Sequence, residues 1–106
     1  MPGLTRARRV SFRRIADTAL RHVSTIVPRW LPDGRREGAE WVALNPTRTD
    51  HRRGSFKVNL SNGRWSDFAT GHCGGDLVSL AAYLNGMTQV DAAVRIAEMI
   101  GIDPYE

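Results

Sequence analysis

The chain has 106 residues, a formal net charge of +4 and 42% apolar residues, enough for one domain with one modest core. No apolar run approaches the roughly 18 residues of a membrane span. The arginine-bearing N-terminus lacks the apolar segment and cleavage site of a secretory signal, and a single cysteine excludes an internal disulfide. These features point to a reducing, bacterial-type cytoplasm. The charge is uneven: residues 1–58 hold thirteen Arg/Lys against five Asp/Glu (+8), and residues 59–106 hold two against six (−4). All the basic residues but Lys57 are arginine, whose planar fork suits phosphate. A basic half fits a nucleic-acid surface, and it equally fits a solvated arginine-rich face.

Residues 1–10 lack periodicity and read as a mobile basic arm, leaving 11–106 as a single domain. Ser11 is placed to cap a helix whose apolar stripe is Phe12, Ile15, Ala19, Leu20, Val23 and Ile26, with Pro28 as its stop. Arg13, Arg14 and Arg21 lie off that stripe. "RWLP", "DGRREG" and "AEWVAL" read as two extended segments around a turn, and 45–54 as a polar loop with three arginines. In "SFKVNL", Phe56, Val58 and Leu60 alternate with Lys57 and Asn59. Asn62-Gly63 is the favoured pair for a type I′ turn, so "RWSDF" returns as the partner strand. Two helices close the chain. Asp76 caps "LVSLAAYLN", ended by Gly86, and Thr88 caps "QVDAAVRIAEMI", ended by Gly101. Their apolar stripes are Leu77, Leu80, Ala81 and Leu84, then Val90, Val94, Ala97 and Ile100 with Ala93. The fold class is α+β: an N-terminal helix, a small antiparallel sheet and a C-terminal helical hairpin.

The stretch 63–80 is rich in glycine and contains His72 and Cys73. Zinc needs about four ligands in paired spacing, whereas Cys73, His72, His51 and His22 form no such pairs. Cys73 also lacks an orienting acid for a nucleophilic role, and reads as a small, partly buried loop thiol. Gly71, Gly74 and Gly75 precede a helix start, where free N–H groups could cradle an anion. No lysine follows, and Asp76 puts negative charge there, so a structural role for the glycines is preferred.

"WVALNPTR" and "GSFKVNLSNGRWSDFATGHCGGDLVSLAAYLNGMT" together resemble the zinc-ribbon domain at the N-terminus of bacterial-type DNA primases, in particular the versions carried by plasmids, phages and integrated mobile elements. The resemblance covers about Trp41 to Gly101. It implies a template-engaging, non-catalytic domain. It places the family's Cys-x-x-His pair near Asn45 and Arg48, and its Cys-x-x-Cys pair near Asp67 and Thr70. These residues are not a zinc ligand set, which implies a zinc-less version with no metal or other cofactor. Trp41, Phe56, Trp65 and Phe68 are expected to fill the knuckle, with turn hydrogen bonds from Asn45, Asp67 and Thr70.

Single-strand binding combines basic groups with aromatic platforms. The candidate contacts are Arg48, His51, Arg52, Arg53, Lys57 and Arg64, with Arg8, Arg9, Arg13 and Arg14 as a secondary basic surface. Trp41 and Trp65 read better as core than as platforms, and Trp30 as partly exposed. No acidic cluster suits nucleotide polymerisation, so no catalytic residue is nominated. The expected partners are single-stranded nucleic acid and a primase, polymerase or helicase subunit, with no membrane. The alternative is an adaptor or inhibitor that docks on a host protein complex.

Overall fold

The structure, a computed structural model, describes residues 8–48 and 54–106; His51, Arg52, Arg53 and most of the proposed N-terminal arm lie outside them. The elements run α1 (Phe12–Leu20), α2 (Val23–Trp30), β1 (Arg35–Glu37), β2 (Glu40–Ala43), β3 (Phe56–Asn59), β4 (Trp65–Asp67), β5 (His72–Gly74), α3 (Leu77–Asn85) and α4 (Gln89–Ile100). The five strands form one antiparallel meander in the order β1-β2-β3-β4-β5. The expected α+β class holds.

The single N-terminal helix of the sequence reading is two. Arg21 and His22 donate backbone N–H to Thr18 and Ala19, tightening the chain into i→i+3 bonds before α2 begins. The bend lets Ile15 and Ala19 of α1 and Val23, Ile26 and Val27 of α2 all reach the core. Ser11 occupies the N-cap position, but its hydroxyl makes no capping bond. Pro28 does not stop the helix: it lies inside α2, where only the carbonyl of exposed Ser24 loses its intrahelical donor. "RWLP" is therefore the end of a helix rather than a strand.

The β1–β2 hairpin turns at Gly38-Ala39, with Gly38 at φ +62° in the first loop position, where a type II′ turn needs glycine. The β3–β4 connection is longer than expected. Asn59 Oδ1 accepts from the N–H groups of Ser61 and Asn62, and Gly63 alone in that loop takes positive φ. A type I′ turn needs positive φ at both central residues, so the Asn62-Gly63 expectation gives way to a four-residue loop pinned by Asn59. The glycine-rich stretch forms the edge strand β5 instead of a loop, paired to β4 through Trp65↔Gly74, Ser66↔Cys73 and Asp67↔His72.

Strand alternation sorts the side chains. Phe56, Val58, Trp65 and Asp67 face inward, while Lys57, Asn59 and Ser66 face out. Phe68 follows Asp67 on the outward parity and is 74% exposed, so it is not a core ring. Cys73 likewise faces out on β5 and is exposed, not a partly buried loop thiol.

The terminal hairpin follows the sequence reading closely. Asp76 and Ser79 form a reciprocal capping box, Thr88 Oγ1 accepts from the Asp91 N–H, and Gly86 and Gly101 end their helices in the left-handed conformation. The buried stripe of α4 is rotated from the expected one to Ala92, Ala93, Ile96 and Ala97, leaving Val90 48% exposed. Its alanines let α4 pack on both α1 and α3. The C-terminus returns to the start of the described chain: Val10 bridges Tyr105, and Ser11 N–H donates to Pro104 O at 2.8 Å.

Candidate nucleic-acid interface

Register fixes one row across the sheet as Arg35, Val42, Lys57, Ser66 and Cys73, in which Val42 is buried and the other four are at least partly exposed. The next row along the strands holds Glu37, Glu40, Asn59 and Arg64. Together they give an open polar face with a shallow depression lined by Lys57, Asn59, Asn62, Arg64, Ser66 and Gly75 among others. Its charges differ in availability. Arg35 pairs with Glu37 at 3.0 Å, and Lys57 stands 4.0 Å from Glu40. Arg64 makes no ion pair with any described residue. Lys57 and Arg64 are thus brought to one face.

Arg48 is placed differently. Its Nε donates to Asp67 Oδ2 at 3.1 Å and its Nη2 to Ser55 Oγ at 3.3 Å. Asn45 Nδ2 donates to the same Asp67 oxygen at 2.7 Å and to Tyr83 Oη at 2.8 Å. The Thr70 N–H donates to Asp67 O at 3.2 Å. Asn45 and Arg48, far from Asp67 in sequence, converge on its carboxylate, which is 0% exposed, while Thr70 bonds only the Asp67 backbone carbonyl. Burial alone would raise the Asp67 pKa. Bonds from Asn45, Arg48, the Ala69 N–H and Ser55 outweigh it and hold the group at about 2.

Beside this cluster Trp65 is the central ring. It meets Phe56 edge-on at 6.1 Å and Tyr83 at 4.7 Å, and its Nε1 donates to Ser79 Oγ at 2.9 Å. Gly74 lies directly across from it on β5. A Cβ there would collide with the indole and with Ser79 Oγ, which is why glycine is needed. Asp76 Oδ1 already accepts from the Ser79 N–H at the start of α3, so a carboxylate fills the position an anion would take. Tyr83 and Ser79 escaped the sequence reading. Their signal was helical spacing: Asp76, Ser79 and Tyr83 lie on one face of α3, toward the sheet.

The secondary basic surface serves largely to hold the C-terminus. Arg14 donates to the backbone oxygens of Asp103 and Tyr105, and Arg8 reaches the Asp103 carboxylate at 3.4 Å and stacks over the Tyr105 ring. The Tyr105 N–H, followed by Arg8 and Arg14, lowers the Asp103 pKa. Arg13 lies 4.0 Å from Asp17 and is exposed. Arg9 is exposed, and its carbonyl accepts from Glu106 N–H.

The sequence matches no protein-family model and no curated protein. Among solved structures, the chain is similar to the zinc-binding and RNA polymerase domains of the Aquifex aeolicus primase, with a TM-score of 0.74 and 17% identity over 90% of this chain. The fold resembles the zinc-ribbon-containing domain of a bacterial primase. The match covers 22% of that primase chain's length.

The residues at the resembling ligand positions do not fit zinc. One carboxylate is present, already engaged by a guanidinium and an amide, and no thiolate or imidazole stands beside it at these four positions. Among the described residues no group of three or more His, Cys, Asp or Glu is arranged to hold a metal ion.

Proposed function

We propose that this chain is a non-catalytic, cytoplasmic nucleic-acid-binding module that engages single-stranded DNA with the open face of its sheet. It acts as an accessory of a mobile-element primase or replication system, beside a primase, polymerase or helicase subunit. The observation that carries the reading is the outward placement of Lys57, Asn59 and Arg64 on a primase-like sheet. Arg52, Arg53 and His51 follow in the adjoining loop by sequence. Arg48, with its charge matched by Asp67, holds the base of that loop and contributes less to phosphate than its neighbours.

Each phosphate contact removed reduces the single-strand salt slope by about 0.7. The double variant Lys57→Ala/Arg64→Ala is therefore expected to lose about 1.4 from the slope and to weaken binding to all sequences alike, with its melt close to the parent's. A titration of labelled single-stranded DNA at two salt concentrations measures this. Flat curves at both concentrations would remove the reading and favour a protein-docking adaptor.

The module is also proposed to work without zinc. Elemental analysis of the purified chain is expected to give well under one zinc per molecule, and a chelator to leave the melt unchanged. One tightly held zinc per chain would overturn this. The reason is the Asn45–Arg48–Asp67 cluster, in which a guanidinium supplies the positive charge that a metal would otherwise bring.

A further inference from the structure

A second surface lies on the helical side. Two shallow depressions adjoin at Trp30 and Met99: one lies between α2 and α4, and the other extends over α3 and the turn after it through Ala81, Asn85 and Met87, together a groove with Trp30 and Met99 at its middle. Ile26 and Ile100 lie toward one end, and Ile96 and Met87 toward the other. Met99, at the middle of the groove, is 49% exposed and offers a flexible apolar side chain to a partner. The titratable residues lining the groove are His22, Arg29 and Arg95, and among the described residues no carboxylate lines it. Neither Arg29 nor Arg95 forms an ion pair with a described residue.

We propose that this groove docks an acidic amphipathic helix of a partner protein. An apolar floor between two helices accepts the i, i+3/i+4, i+7 face of a third. Trp30 and Met99 supply the anchoring contacts, since aromatic and methionine side chains dominate such cores. Arg29 and Arg95, without an ion-pair partner among the described residues, select glutamate or aspartate on the partner's flanks and reject lysine. The same argument disfavours two nearer occupants. Residues 1–7 of this chain carry Arg6 and no acid, and a second copy carries a net charge of +4. The groove shares no residue with the depression on the outer sheet face, so both surfaces can be engaged at once.

The probe is a labelled synthetic helix of about four turns, with leucines at i, i+3, i+4 and i+7 and glutamates on its flanks. Its controls are a scrambled peptide of the same composition and a version with lysine for glutamate. Fluorescence polarisation against the full chain at about 0.15 M salt is expected to show saturable binding of the acidic amphipathic peptide only. Met99→Glu, and separately Arg29→Glu/Arg95→Glu, are expected to weaken it at least about tenfold with unchanged melts. Lys57→Ala/Arg64→Ala is expected to leave it intact, which keeps this proposal separable from the nucleic-acid reading. Equal binding of the scrambled peptide, wild-type affinity in both groove variants, or no saturable binding would each overturn the proposal. So would sedimentation showing a dimer that Met99→Glu dissolves, because the occupant would then be a second copy.

Discussion

Trp65→Ala is expected to destabilise the fold by roughly 3–5 kcal/mol, the usual cost of truncating a buried tryptophan. Three losses combine at this position. The indole fills the space between Phe56 and Tyr83, with centroids 6.1 and 4.7 Å away. Its Nε1 donates to Ser79 Oγ, the hydroxyl that also donates to Asp76 O at the start of α3. It is also the surface against which Gly74 brings β5. Against a total of about 5–15 kcal/mol for a domain, such a loss leaves a large unfolded fraction at modest temperature. Phe68→Ala is the matched control. Its ring is the next aromatic in sequence but points to solvent, so the change should stay within about 0.5 kcal/mol. Urea melts of the two variants measure both. Equal midpoints would show that Trp65 is not the keystone of the sheet–helix interface.

The contrast between these two rings shows what was legible in the sequence. Period-2 alternation correctly oriented Phe56, Lys57 and Val58, and cap chemistry correctly placed the starts and ends of α3 and α4. Trp65 and Phe68 were both expected inside, yet residues three apart on an extended chain face opposite ways. Aromatic content had overridden parity. The bend after Leu20 was hidden because α1 and α2 share one continuous apolar pattern, and Pro28 was a stronger-looking stop than the turn at Arg21–His22. β5 was hidden because glycine signals loops. Here it serves close packing against an indole that only the tertiary fold brings near. The convergence of Asn45 and Arg48 on Asp67 could be expected only through a family resemblance. The bonds joining Asn45 and Arg48 to Asp67 span 22 and 19 residues and carry no local pattern.

Asp67→Ala is expected to cost about 3–5 kcal/mol, in the range for breaking a buried charge pair. The carboxylate is the common acceptor for the Asn45 amide, the Arg48 guanidinium and the Ala69 N–H, and its removal unties the loop after β2 from the turn after β4. Asp67→Asn keeps the shape but turns an NH₂ toward donors, so it should destabilise as well. Arg48→Ala, with a side chain 33% exposed, should cost less than Asp67→Ala. In the Asp67→Ala background it should cost little more, the non-additivity expected of partners in one network. Acid provides the independent check. The group is held at about 2 when folded, below its ordinary 3.8, so its contribution is fully present above pH 3.8 and is lost as pH falls toward 2. The shift corresponds to about 2 kcal/mol. The wild-type stability curve should therefore fall more steeply through this window than that of Asp67→Ala, and the gap between the two should narrow by about 2 kcal/mol at the acid end. Parallel curves from about pH 5 to about pH 2 would show that Asp67 does not hold the two loops together by its charge.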